Sequence, residues 1–163
     1  MILIGQFWCA LVFAKLRPGF CSRPQLLSEF NYNDFEGLWY LIKTTDYQIV
    51  KRAECLAISI VAPPILANQT NPRYPITAEW ISPRSDEPKM MNLVAHCEPL
   101  KANSSACVIE TFMGPLGGRR RWFNLDIVYF NKDLGLLIGY SCQQATSGGA
   151  YMLERLLVFS RTR

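Results

Sequence analysis

The sequence predicts an all-β fold, an eight-stranded antiparallel up-and-down barrel, on three observations. Eight strand-like stretches recur down the chain, each separated from the next by turn-forming residues. No segment carries a long apolar stripe of helical period with capping residues at its ends. Alternation is clear in 120–130, where Phe123, Leu125, Ile127 and Tyr129 share one face and Trp122, Asn124, Asp126 and Val128 the other. Closing such a sheet removes the unpaired edges that would otherwise invite aggregation.

In chain order, the segment from Lys15 to Asn33 is irregular, because Pro18, Gly19 and Pro24 interrupt any regular element. The stretch Phe30 to Ile42 then organises the rest. Gly37 removes a side chain where the backbone bends or another segment approaches, and Trp39 is too large to leave in water. Its indole N–H requires a partner if buried. Strands are predicted at 37–45, 52–61, 74–82, 89–97, 105–113, 120–130, 134–142 and 151–161. Turn material separates them: Pro63-Pro64 with Asn71-Pro72, Pro83 to Pro88, Pro99 to Ser104, Gly114 to Gly118, Asn131 to Asp133, and Ser147 to Gly149. The last stretch is helical by propensity around Met152-Leu153 and Leu156 to Phe159; it is assigned as a strand because the barrel needs an eighth partner.

Composition sets the class. At 163 residues the chain has the length of one domain, and 50% hydrophobic content with 18% charged is too apolar for disorder. A net charge of +4, with Arg119-Arg120-Arg121 as the longest basic run, gives no reason to expect a nucleic-acid partner. Six cysteines, the single histidine His96 and the lack of a CxxC pair leave no metal site to expect. The glycine-rich loop 114–118 lacks the Lys-Ser/Thr of a phosphate loop, so no nucleotide or other cofactor is expected.

Residues 1–14, MILIGQFWCALVFA, are uncharged, almost wholly apolar and too short to span a bilayer. Val12 and Ala14 stand third and first before a cleavage point, so 1–14 reads as a signal peptide and 15–163 as the barrel domain of a protein not integral to a membrane. Asn68-Gln69-Thr70 and Asn103-Ser104-Ser105 are glycosylation sequons, making Asn68 and Asn103 the expected sites in an oxidising, extracellular setting.

An eight-stranded interior is either filled by its own side chains or holds one small ligand. By size and strand position Trp80, Phe123, Leu125, Tyr129 and Tyr140 are the candidate lining, solid core being the equal alternative for each. In a barrel the mouth gathers 44–51, 83–88, 114–119 and 143–150, where Arg119 to Arg121 either favour an acidic ligand or form a solvated basic turn.

Several motifs resemble the lipocalin family. Gly37-Leu38-Trp39 at the entry to the first strand is similar to the family's first motif. Asn131 to Gly135 stands in the place of the second, usually Thr-Asp-x-x-Tyr; Asp133 serves as its acid, while the Thr and Tyr are absent. Val158 to Arg163 resembles the third, whose arginine packs across the tryptophan, and this implies Arg161 over Trp39. Cysteine placement resembles the branch that includes apolipoprotein D and the insect bilin-binding lipocalins. That resemblance implies a Cys21–Cys142 bridge. It also pairs the cysteine at the place of Cys55 with one beyond a C-terminal helix. The sequence stops at Arg163 with neither, so Cys55 is expected unpaired, in a truncated product, or in an intermolecular bridge. Cys97 and Cys107 depart from the pattern and flank one turn, within reach of a bridge across that hairpin.

The resemblance implies an extracellular carrier binding a small hydrophobic ligand, such as a lipid, fatty acid or pigment, inside the barrel. One alternative is a secreted interaction protein of the same fold acting on another protein or receptor. An enzyme on a small apolar substrate is less expected, its best nucleophile being the Cys55 thiol, which Lys51 and Arg52 favour as a thiolate and Glu54 opposes.

Overall fold

The computed structural model describes residues 17–22, 24–27, 30–62, 73–97, 106–111, 121–144 and 151–163. A two-residue strand β1, Arg17–Pro18, is followed by a short 3-10 helix at Tyr32–Phe35 and strand β2, Gly37–Thr44. Helix α1, Tyr47–Arg52, precedes β3, Glu54–Ile60. There follow β4, Arg73–Ser82, β5, Glu87–Cys97, β6, Ala106–Thr111, β7, Arg121–Asn131, β8, Leu136–Gln144, and β9, Tyr151–Ser160. Each strand from β2 to β8 pairs antiparallel with its neighbour, and β9 pairs with both β8 and β2. Strands β2 to β9 therefore close into an all-antiparallel barrel, the predicted architecture. β1 extends the β2 edge alongside the start of β9, at Met152 and Tyr151.

Two elements show tertiary context overriding local preference. The helix-prone run 151–161 is a strand because ladders on both sides claim its backbone, with unbroken register to β8 from Leu136↔Ser160 to Gln144↔Met152. Helix α1 has no counterpart in the apolar pattern. It is a short element that packs Ile49 against the core cluster; the Ile49 N–H donates to the Asp46 carboxylate at 3.4 Å, and Lys51 and Arg52 in its last turn face the negative end of the dipole.

Register shifts interrupt the ladder between Leu41 and Lys43, between Glu54 and Ala57, and between Ile127 and Tyr129. The third one corrects the sequence reading. Leu125 and Ile127 point inward at 6% and 0% exposure, but the extra residue Val128 reverses the alternation. Tyr129 turns outward, 38% exposed, and Phe130 takes the inward place beside Leu137.

The core is one cluster along the inner wall, densest toward the end of the barrel where Trp39, Ile60, Tyr74, Cys97, Cys107, Leu137 and Phe159 converge. Cys97 and Cys107 are directly opposed on β5 and β6 and form a disulfide, both 1% exposed. Among the described residues, no helix is long and apolar enough to cross a membrane.

Candidate functional site

One end of the barrel is sealed. The 3-10 helix carries Phe35 beneath the strands at 1% exposure, and its carbonyl accepts the Trp39 indole N–H at 2.9 Å. Phe130 meets Phe30 and Trp39 edge to face at 5.3 and 6.1 Å, closing the floor with aromatic rings. Arg161 lies over the Trp39 ring, its Cζ 3.8 Å from the centroid. The same guanidinium donates to the carbonyls of Leu38 at 3.2 Å, Asp34 at 3.0 Å and Glu36. Burial pulls the Arg161 pKa down and the Asp34 charge opposes that pull, so the latch stays a cation.

Glycines make this approach possible. Gly37, at φ +104°, would place a Cβ 2.6 Å from Arg161 Nη1, and Gly135, at φ +58°, would place one 2.8 Å from the Arg161 side chain. Gly37 and Arg161 thus meet as the resemblance implied. Asp133 does not join them: it is exposed on the turn, and Gly135 supplies the contact there through its carbonyl, which accepts the Arg161 N–H at 2.9 Å. Asp34 is the acid at this end, paired with Lys132 at 2.7 Å, which raises the Lys132 pKa. Gly135 is visible in the sequence; Asp34 carries no signal there beyond lying in the polar lead-in.

The five candidate lining residues divide. Leu125 is on the inner wall, with its Cδ1 2.6 Å from where a Cβ on Gly139 would stand. Trp80 alternates with Ile76 and Ala78 on β4, which places it inward, half-buried toward the open end. Tyr129 is outside for the reason given above. Phe123 has its backbone in β7, and its side chain is outside the described residues, as are Asn68, Asn103, Arg119 and Arg120.

Tyr140 is also corrected. On β8 the inward set is Leu137, Gly139 and Ser141, so Tyr140 and Cys142 face out. Cys142 bonds to Cys21, tying the lead-in across the outside of the wall. The Tyr140 hydroxyl donates to Glu154 Oε1 at 3.0 Å and lies 3.5 Å from the Ser22 carbonyl. Burial, then the Glu154 hydrogen bond, raises its pKa. Gln144 adds a second tie, donating to the Gly19 carbonyl at 3.2 Å.

At the open end the inner wall turns polar. Arg155 is the β9 partner of Ser141 and lies in the same inward set as Leu157 and Phe159. Its Nε stands 2.6 Å from Asp46 Oδ2, an ionic contact without hydrogen-bond alignment. Asp46, 8% exposed, is the residue that caps α1, so this pair fastens the helix beside the mouth. The sequence does hold a signal for Arg155 that the size-based choice of lining misses: with Glu154 it is the charged interruption of an otherwise apolar strand.

A groove of about 370 Å³ runs over the outer side of β3, β4 and the start of β5. Cys55, Ala57, Glu79, Trp80, Ile81, Pro88, Lys89 and Met90 line it, with Arg163 at one end over the Tyr40 ring at 4.8 Å. Met90 is 66% exposed, and Cys55 is a free, exposed thiol at φ 53°. Among the described residues, no group of three or more His, Cys, Asp or Glu side chains is arranged to hold a metal.

No protein-family model matches the chain, and neither does any curated protein sequence. Solved structures do. Insecticyanin from the tobacco hornworm Manduca sexta superposes with a TM-score of 0.73 at 13% identity, over 90% of this chain and 71% of that one. Lobster apocrustacyanin A1 gives 0.63 at 17%, over 90% and 74%. A biogenic amine-binding protein gives 0.56 at 15%, over 87% and 72%. The chain has the lipocalin fold.

Proposed function

We propose that this protein is an extracellular carrier that holds a small hydrophobic ligand inside its barrel. The observation that carries the proposal is a closed wall of eight strands with an apolar inner face, sealed at one end by Phe35, Trp39 and Phe130. Ala78 and Ala95 are small residues on that inner wall, and the space beside Gly139 is taken by Leu125. A ligand transferring roughly 300 Å² of apolar surface from water gains ~7 kcal/mol gross at about 25 cal/mol per Å². Association costs reduce that, and since about 8 kcal/mol net is needed for micromolar affinity, a micromolar ligand buries more apolar surface or adds polar contacts. Two intramolecular disulfides support an oxidising compartment, consistent with 1–14 as a signal peptide and with glycans on Asn68 and Asn103. A fold neighbour named for amine binding supports small-molecule capture on this architecture.

The test is native mass spectrometry of the protein recovered from a secreting host, followed by titration with a polarity-sensitive apolar dye. A bound small molecule or saturable dye binding to the folded protein is the expected result. A folded protein that carries nothing and leaves the dye unbound overturns the proposal.

A second function is favoured by the outer groove. Its exposed Met90 and free Cys55 form a surface suited to a protein partner or to an intermolecular disulfide. Comparing the oligomeric state of wild type and Cys55→Ser without reductant separates the two: a dimer lost in the variant supports it, and a monomer in both removes the disulfide form.

A further inference from the structure

We propose that the ligand is an amphiphile with a carboxylate head, and that Arg155 and Ser141 hold that head just inside the mouth. This rests on the carrier function and names the ligand class for it. The placement follows from the ladder. β8 and β9 run in unbroken register over their whole shared length, so the inward sets Leu137-Gly139-Ser141 and Phe159-Leu157-Arg155 are fixed by residues whose burial is unambiguous. Ser141 and Arg155 are directly opposed partners on that inner face. Their Cβ atoms are therefore about 5 Å apart and both side chains address one volume.

Ser141 is 2% exposed, and its Oγ has no hydrogen-bond partner. A hydroxyl buried without a partner costs free energy that a neighbouring apolar residue would avoid, so an acceptor brought by a ligand relieves it. Arg155 supplies the charge. A guanidinium carries five N–H donors in a planar fork, and its Nε edge is the one against Asp46. The terminal nitrogens present the other edge, the geometry that carboxylates accept in pairs. A carboxylate there accepts from Arg155 and from Ser141 together, while its chain enters the barrel by displacing Leu125, whose side chain packs on Gly139. Four residues of strand separate Ser141 from Leu137, about 13 Å of depth along the strand.

Asp46 sets how strongly the site discriminates. It competes for the same cation and holds the pair near neutrality, so the preference for an acid in the intact protein is moderate. This site is separate from Arg119 to Arg121, whose side chains lie outside the described residues.

The experiment measures binding of cis-parinaric acid, its methyl ester and the primary amine of the same chain by polyene fluorescence. Wild type is expected to prefer the acid to the ester by roughly tenfold, the value of one or two charge-assisted hydrogen bonds. Arg155→Gln should bring the ratio to about one, chiefly by weakening the acid. Asp46→Asn retains a helix cap and removes the competing charge, so the acid should tighten roughly three- to tenfold further. Ser141→Ala should weaken the acid roughly threefold or more. Equal binding of acid and ester to wild type, or tighter binding of the amine, overturns the head-group site and leaves the carrier standing. Failure of all three probes to bind overturns both. If Arg155→Gln does not fold, an acid-to-ester ratio unchanged in both Asp46→Asn and Ser141→Ala is sufficient to overturn the site.

Discussion

Replacing Arg161 by methionine keeps the apolar stem of the side chain and removes the guanidinium from the closed end. The structure assigns that guanidinium two jobs: a cation over the Trp39 ring at 3.8 Å, and donors to the carbonyls of Leu38, Asp34 and Glu36. A partly desolvated cation–π contact contributes about 1–2 kcal/mol. Three carbonyls that lose a charged donor, two of them reachable by water, add about 2 kcal/mol. The methionine side chain recovers some apolar contact with the indole, so the expected loss is about 3 kcal/mol. Arg161→Lys retains a cation but not the fork, and should lose about 2 kcal/mol. The assay is urea unfolding followed by far-ultraviolet circular dichroism without reductant. The midpoint should fall while the slope stays constant, because the surface exposed on unfolding is unchanged. A loss below about 1 kcal/mol for the methionine variant would refute the latch as a source of stability.

Three further outcomes are expected. Removing Cys21–Cys142 as a double serine variant frees a closure of 121 residues and should cost about 5 kcal/mol, against about 3 for Cys97–Cys107 across 10, in the chain-entropy account; denaturant midpoints that rank the other way would contradict it. Tyr129→Ala should change stability by less than about 1 kcal/mol, and Phe130→Ala should lower it by about 3, a contrast that disappears if Val128 is not the bulged residue. Burial raises the pKa of Tyr74 and Tyr140 above 10.0, so the native state holds protons that the unfolded state releases. Their contribution is complete below pH 10 and is lost as pH rises through the folded values; in Tyr140→Phe the alkaline loss should be shallower, and identical profiles would count against it.

The fold is legible in the sequence because its determinants are short-range: turn residues at intervals, alternation within strands, and Gly37, Trp39 and Arg161 in resembling motifs. What escapes depends on partners that periodicity does not record. A bulge is a property of two strands, so nothing local to Ile127-Val128-Tyr129 announces that Phe130 rather than Tyr129 turns inward. β8 reads Leu136-Leu137-Ile138-Gly139-Tyr140, apolar on both faces, because its outer face lies under the lead-in that Cys21 fastens there. With no polar face to set the phase, size alone favours Tyr140 as the inward residue over the small Gly139 and Ser141. Helix α1 is too short for a period, and its legible mark is the capping Asp46.

The two bridges also dictate an order of assembly. Cys97 and Cys107 sit one hairpin apart, so their collision is frequent from the first moments after synthesis, and pairing them welds β5 to β6 before the ring exists. Cys21 must wait for Cys142, which is translated after most of the barrel strands, and until then Cys55 stands nearer to it in sequence as an idle thiol. Oxidative maturation of this chain thus passes through a choice between two partners for Cys21. In the finished ring Cys55 on β3 stands three strands from Cys142 on β8, so closing the barrel separates the idle thiol from the bridge.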